Sequence, residues 1–307
     1  MMTIPAGFVS EFIECNGIKI HVVHNGNERT GSADKRTPIL FLHGFPEFWI
    51  AWQPVFELLS DKYWIIAPDQ RGYNLSDAPK GGENYRAKLL VSDMLELTHQ
   101  MLGDRPFVLA GHDWGASIAY ALAISAPERV SKLVIANGVH PVSFQEAILD
   151  VPEQAAASQY FHVLREENAA ELMAEDHFRR TLSMFEKFSA SPWLTDEDRD
   201  AYRTAWGRPG RLEAMLHWYN SSPIVIPKEG ETNIKAPFYG ADRSKFRLTM
   251  PHLLFWGMKD QALLPQAKKA VSEFCDDLQE IEIADAEHWL LHTHAKLIAD
   301  AIRKFIG

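Results

Sequence analysis

Only two cysteines occur in this chain of 307 residues, Cys15 and Cys275, and they lie too far apart to suggest a disulfide framework or a metal-ligand spacing. No His-Glu-x-x-His pattern or similar helix-face array of His, Asp and Glu is present, so no metal is expected. No apolar stretch approaches the length of a membrane span. The opening residues, Met1-Met2-Thr3-Ile4-Pro5-Ala6-Gly7, lack the basic-then-apolar order of a signal peptide. There is no long basic run, and the formal net charge is -10, which argues against nucleic acid or anionic membranes as partners. Internal repeats and low-complexity tracts are missing too. The expectation is a soluble, cytoplasmic protein that works on a small molecule.

What is present is enough apolar material for a large core, 46% of the residues. Phe12–Cys15 and Ile18–Val23 alternate around Asn16-Gly17, a hairpin signal. Short apolar runs at Pro38–Leu42, Tyr63–Ala67, Pro106–Ala110 and Lys132–Ala136 read as buried strands. Helical spacing at Phe48–Ser60, Leu89–Leu102 and Ala116–Ala123 separates them. This alternation predicts an α/β fold with a mostly parallel central sheet flanked by helices. The rhythm breaks between residues 139 and 250, where helical patterns rich in Ala, Glu, Arg and aromatics run on without a clear strand. A stretch this long cannot be a simple loop, and it reads as a helical cap inserted in a core made of residues 1–138 and 251–307. The strand pattern resumes at His252–Trp256 and Gln279–Ile283, with helices expected over Gln266–Phe274 and Leu290–Ile306.

The pentapeptide Gly111-His112-Asp113-Trp114-Gly115 follows one of the buried strands and precedes a small-residue helix. Strand, Gly-x-nucleophile-x-Gly, helix is the nucleophile elbow of α/β-hydrolases, which usually presents serine. Aspartate at that place also suits a helix N-cap. As a nucleophile, however, it narrows the chemistry. A carboxylate attacking a carbonyl would form an unprofitable anhydride, whereas on saturated carbon it forms an alkyl ester. The suitable leaving groups are a halide or the oxygen of a strained epoxide. In the elbow fold an acid and then a histidine follow the nucleophile. Asp260, after the strand ending at Trp256, and His288, after the last strand, stand in that order at strand carboxyl ends. His43-Gly44-Phe45-Pro46 follows the strand ending at Leu42, where this fold places an oxyanion-hole donor, so the backbone N–H groups of Phe45 and Trp114 are assigned to that hole. His43 is expected to hold the loop, and the side chain of His112 to point away from the site. His292 and His294 are expected on the final helix, facing solvent.

The chain resembles the epoxide hydrolases of the α/β-hydrolase fold over nearly its full length. The resemblance rests on His43-Gly-Phe-Pro-Glu47, Asp69-Gln-Arg-Gly-Tyr-Asn74, Gly111–Gly115, Glu287-His-Trp289 and, in the cap, Met215-Leu-His-Trp-Tyr219. The last is similar to the family's Leu-Asn-Trp-Tyr-Arg segment, with His217 and Asn220 departing from it. It implies that Tyr219 is one of two tyrosines that assist ring opening. The second family tyrosine precedes a Phe-Gln-Glu-Pro-Gly turn by four residues. Leu164-Arg-Glu-Glu-Asn168 resembles a degraded form of that turn, which places the second tyrosine at Tyr160. A related subgroup uses a cap histidine there, so His162 and His177 stay open.

The implied reaction turns an apolar epoxide and water into a vicinal diol through an ester on Asp113, with His288 and Asp260 activating the water and no cofactor. Trp114, Phe45, Phe161 and Trp193 are expected in the substrate pocket, with Phe178, Phe185, Phe188 and Trp206 as further aromatic candidates. The alternative is a haloalkane dehalogenase with the same nucleophile, using the indole N–H of Trp114 for the halide. Fluoroacetate-type dehalogenases carry arginine where Trp114 stands. A non-catalytic binding module would not need a complete triad. A homodimer is among the assemblies that the sequence allows.

Overall fold

A computed structural model describes residues 3–26, 34–187, 193–228, 230–232 and 234–307. Phe188 lies outside the described residues. The strands are β1 (Val9–Cys15), β2 (Ile18–His24), β3 (Thr37–Leu42), β4 (Tyr63–Pro68), β5 (Phe107–His112), β6 (Val130–Ala136), β7 (His252–Gly257) and β8 (Leu278–Ile283). They form one eight-stranded sheet in the order β1-β2-β4-β3-β5-β6-β7-β8. β1 and β2 pair antiparallel, as do β2 and β4, and all other pairs are parallel. The β1–β2 turn uses Asn16 and Gly17, both with positive φ (51° and 77°), as a tight hairpin with the native twist requires.

Burial explains the sequence pattern. β4, β5 and β7 are buried at every residue, so they read as continuous apolar runs rather than alternating ones. The edge strand β8 alternates Leu278, Ile281 and Ile283 with Gln279, Glu280 and Glu282 and is mostly half-buried or exposed. Helices α1 (Gln53–Phe56), α2 (Ala87–Leu102) and α3 (Trp114–Ser125) lie between the early strands, and α4 (Pro141–Asp150), α5 (Pro152–Ala157), α6 (Tyr160–Leu164), α7 (Ala169–Lys187), α8 (Asp196–Trp206) and α9 (Arg211–Asn220) stand between β6 and β7. The chain ends in α10 (Leu290–Thr293) and α11 (Ala295–Ile306). α2 packs on α3, and α1 packs on α10 and α11. Among the described residues no helix is long and apolar enough to cross a membrane.

Three expected helices differ in detail. Phe48–Ser60 is a chain of short turns, Trp49–Trp52, α1 and Glu57–Leu59, because Pro54 withholds a backbone donor there. Gln266–Phe274 is two 3-10 turns, Pro265–Lys268 and Val271–Phe274. Its backbone is diverted to neighbours: Ser143 donates to the Ala267 carbonyl at 2.7 Å, and the Leu264 N–H donates to Gln154 at 2.9 Å. The final helix breaks at His294 (φ -128°, ψ 26°). α7 also carries a bend, with Asp176, His177 and Phe178 all at positive φ.

The helices between β6 and β7 are tied to the loops at the carboxyl ends of the strands. Trp206 Nε1 donates to the Pro46 carbonyl at 2.6 Å, Trp218 Nε1 to the Arg71 carbonyl at 3.1 Å, and Arg211 Nε to the Asn74 carbonyl at 2.7 Å. Arg71 is in turn gripped by Asp93 of α2, with Nε–Oδ2 at 2.7 Å and Nη2–Oδ1 at 2.8 Å, and both side chains are buried. Removing one partner of a buried pair strands the other charge. Arg71→Met is therefore expected to destabilise the fold by ~3–5 kcal/mol, and the double replacement Arg71→Met with Asp93→Leu to recover most of that loss. Urea unfolding of the two variants checks this.

Candidate active site

β3 lies between β4 and β5, so the chain departs from it in both directions, and the carboxyl ends of β3 and β5 flank a crevice. Asp113 stands directly after β5 with φ 51° and ψ -121°, a conformation that costs a non-glycine residue roughly 1–3 kcal/mol. Its neighbours make room for it. A Cβ on Gly115 would sit 2.2 Å from the Leu42 carbonyl oxygen, so only glycine lets α3 approach β3 this closely. A Cβ on Gly44 would lie 2.3 Å from Asp113 Oδ1. With that space empty, the Phe45 N–H donates to Asp113 Oδ1 at 2.7 Å. Trp114 is the first residue of α3, so its N–H belongs to the unpaired first turn of a helix.

His288 approaches from the loop after β8. Its Nε2 is 3.6 Å from Asp113 Oδ2, an ion-pair contact too long for a good hydrogen bond, and its Nδ1 is 2.7 Å from Asp260 Oδ2. Asp260 follows β7 and accepts from four donors. The N–H groups of Ala262 and Leu263 reach Oδ1 at 2.8 and 2.9 Å, and Asn137 Nδ2 and His288 Nδ1 each reach Oδ2 at 2.7 Å. Asn137 was not singled out in the sequence. It sits after β6 at φ 37°, donates also to the Glu287 carbonyl at 3.0 Å, and accepts from the Gly257 N–H at 2.7 Å. Its own carbonyl accepts from the Asp113 N–H at 3.2 Å. One residue, through its side chain and its backbone carbonyl, thus joins the loops that carry all three candidate triad members. An Asn ending an apolar run was the only sign of it.

Burial disfavours the charged form of His288, but the carboxylates of Asp260 and Asp113 outweigh that and push it up to about 10. The resting site therefore holds an imidazolium between two carboxylates.

Tyr219 and Tyr160 come together from α9 and α6. Their rings are 6.3 Å apart at 76°. Tyr219 is boxed edge-on by Phe45 (5.2 Å), Trp114 (4.9 Å) and Phe161 (4.9 Å). Burial, then the charge on Asp113, raises Tyr160 well above its ordinary range, and burial, then Tyr160 and Asp113, does the same for Tyr219. Both phenols stay protonated and can donate. Arg165, at the end of α6, holds the two segments in register: Nε donates to the Tyr219 carbonyl at 3.0 Å and Nη2 to the Ile224 carbonyl at 2.9 Å, with the guanidinium 5.2 Å from the Phe161 ring centre.

A cavity opens beside these groups, lined by Asp113, Trp114, Tyr160 and Phe161 and otherwise by mostly apolar side chains; Tyr219 stands behind Tyr160 and Phe161 and is not among its lining residues. Phe45 and Trp193, also expected in its wall, are not among its lining residues. Phe45 is turned to Tyr219. Trp193 stacks flat on His292 at 3.8 Å and 7°, because a second aromatic cluster of Phe185, Tyr202, Trp206 and Trp289 draws it away. Phe178 joins that cluster through Trp206. Neither His162 nor His177 lines the cavity, and His177 is exposed at the bend of α7.

His43 fulfils the loop-holding expectation, accepting from the Gln70 N–H at 3.0 Å through Nε2. His112 points away from the cavity and approaches the His288 carbonyl at 2.9 Å through Nε2. His292, expected in solvent, instead lies largely buried with Nε2 2.7 Å from Glu47 Oε1. Glu47, fully buried, also accepts from Tyr202 at 2.6 Å. Burial opposes its charge, but His292 beside it outweighs that and keeps the carboxylate below its ordinary range. Among the described residues no group of three or more His, Cys, Asp or Glu could hold a metal ion.

Comparison with known proteins agrees with this fold. Residues 37–295 match the family model described as alpha/beta hydrolase fold. The chain is similar to the AB hydrolase superfamily protein YfhM of Bacillus subtilis (33% identical over 302 residues, covering 98% of each chain). It is also similar to Epoxide hydrolase 4 of Homo sapiens (29% over 302 residues, 96% of this chain and 77% of that one). The crystal structure of Bacillus megaterium epoxide hydrolase in complex with an inhibitor superposes with a TM-score of 0.84 at 28% identity, covering 96% of this chain and 99% of that one.

Neutralising Asp113 should remove part of what holds the imidazolium. In Asp113→Asn the His288 ring is expected to titrate below its wild-type value of about 10, read from its proton resonance against pH. A group raised from 6.5 to about 10 on folding adds stability that is complete below pH 6.5 and disappears as pH rises through 10. The wild-type urea midpoint should therefore fall more steeply over that range than that of Asp113→Asn.

Proposed function

The chain belongs to the alpha/beta hydrolase fold family, and from that premise we propose that it is an epoxide hydrolase which opens apolar epoxides through an ester on Asp113. One observation carries the reading. A carboxylate stands where the elbow presents its nucleophile, the Tyr160 phenol lines the same apolar cavity, and the Tyr219 ring packs against Tyr160. A carboxylate needs saturated carbon to attack, and an epoxide oxygen needs a donor as it leaves. The segment 139–250 acts as the cap that brings those donors.

Asp113 attacks the less hindered ring carbon and breaks its bond to oxygen. Tyr219 and Tyr160 stabilise the departing alkoxide and supply its proton. Ester formation also cancels the charge on Asp113. His288 then loses one of the two carboxylates that raise its pKa and releases a proton, balancing the one that ring opening consumed. Now neutral and oriented by Asp260, it takes a proton from water, and the resulting hydroxide attacks the carbonyl carbon of the Asp113 ester. The tetrahedral oxyanion forms on the oxygen that the Phe45 N–H already contacts, with the Trp114 N–H as second donor. Its collapse frees the diol and regenerates the carboxylate.

The dehalogenase alternative needs side-chain N–H donors for a halide. The Trp206 indole is engaged by the Pro46 carbonyl, Trp193 lies against His292, and the Trp114 ring stands edge-on to the Tyr219 phenol that would supply a proton. These engagements favour the epoxide.

His288→Gln incubated with styrene oxide should accumulate an adduct on the peptide containing Asp113, visible by mass spectrometry. An unmodified peptide, despite measured binding, contradicts the ester. Tyr219→Phe should slow ester formation by about a hundredfold while leaving ester hydrolysis near the wild-type rate in stopped-flow traces. Release of chloride from a chloroalkane, without diol from styrene oxide, would assign the chain to the dehalogenases.

A further inference from the structure

From the nucleophile, the cavity extends along α3. Four residues of α3 line it, Trp114, Ser117, Ile118 and Ala121, at spacings i, i+3, i+4 and i+7, which is one face of a helix. That face paves a floor running ~10 Å from the nucleophile, seven residues at 1.5 Å each. Phe144 and Phe238 also line the cavity. On the side of Asp113 where His288 stands, the space is taken up by aromatic rings. Trp289 lies 4.8 Å from the His288 ring, Phe185 lies 4.7 Å from Trp289, and Trp193 covers His292. The Glu47 carboxylate fastens that cluster from below, bonded to Tyr202 and His292. No member of the cluster lines the cavity.

Resting on the epoxide reading above, we propose that the site selects epoxides bearing one elongated apolar arm on a single ring carbon, and that Ala121 sets the length of arm accepted. The ring sits between Asp113 and the tyrosine pair, with its unsubstituted carbon toward Asp113. The arm lies along the α3 face. A second arm on the other ring carbon would have to displace packed aromatic rings and strip a buried carboxylate of its partners. Ala121 is the last floor residue and has the smallest side chain of the four, so the channel is open at the position where a long arm ends.

The test uses the full chain with terminal butene, hexene and octene oxides and with the internal trans-octene oxide that carries a propyl arm on each ring carbon. Diol formation is followed by chromatography. The kcat/KM should rise by roughly threefold for each methylene added to the terminal series, and terminal octene oxide should exceed its internal isomer by about tenfold or more. In Ala121→Trp the preference for octene oxide over butene oxide should fall by about tenfold. If that variant fails to accumulate as folded protein, Ala121→Leu reads the same ratio. An internal isomer within threefold of the terminal one, or a chain-length preference untouched by the Ala121 replacement, overturns the proposal while leaving epoxide hydrolysis standing. Absence of diol from every oxide with the unaltered enzyme would instead overturn the functional reading on which it rests.

Discussion

A positive imidazole ring shared by two carboxylates is the interaction on which the rest of this molecule depends. Asp260 is held in place by four hydrogen bonds, and His288 is raised to about 10 between it and Asp113. Such a charge array is costly to bury unless every partner is fixed. The sheet meets that demand, since the carboxyl ends of β3, β5, β6, β7 and β8 each deliver one element of it. Asn137 then binds the loops to one another. In the mechanism we propose, the same charge balance orders the two steps, because ester formation erases the charge whose loss lets His288 release its proton.

The aromatic residues divide into two groups with different tasks. One group, Phe45, Trp114, Phe161 and Tyr160, surrounds Tyr219 and keeps a phenol dry and protonated beside a carboxylate. The other, Phe185, Trp193, Tyr202, Trp206 and Trp289, fills the space behind His288. The first surrounds the proposed ring-opening acid, and the second packs the side of Asp113 on which His288 stands.

Much of this was legible in the amino-acid order. Buried parallel strands carry continuous apolar runs, and the elbow pentapeptide has few other physical uses, so Asp113, Asp260 and His288 could be named from position. Tyr219 and Tyr160 rested on family resemblance, and the geometry brings them together. Other features depend on contacts between distant segments. Trp193 looked like any other cap aromatic, and only tertiary packing turns it to His292. His292 looked like a solvent-facing residue because nothing local announces that Glu47, 245 positions earlier, arrives beneath it. The stretch from Gln266 to Phe274 has helical spacing, yet neighbouring side chains claim its backbone groups. The cavity floor was hidden because small residues such as Ala121 carry no chemical signal.

Glu47 has one further consequence. A carboxylate that belongs to the core yet is held by Tyr202 of the inserted helices rivets the two together from inside. Prising them apart would break a charge-assisted hydrogen bond, at a cost of about 1.5–3 kcal/mol, and would also unpack the ring stack that seals His292. Passage to the nucleophile therefore meets less resistance along the apolar cavity than by prising those helices from the sheet.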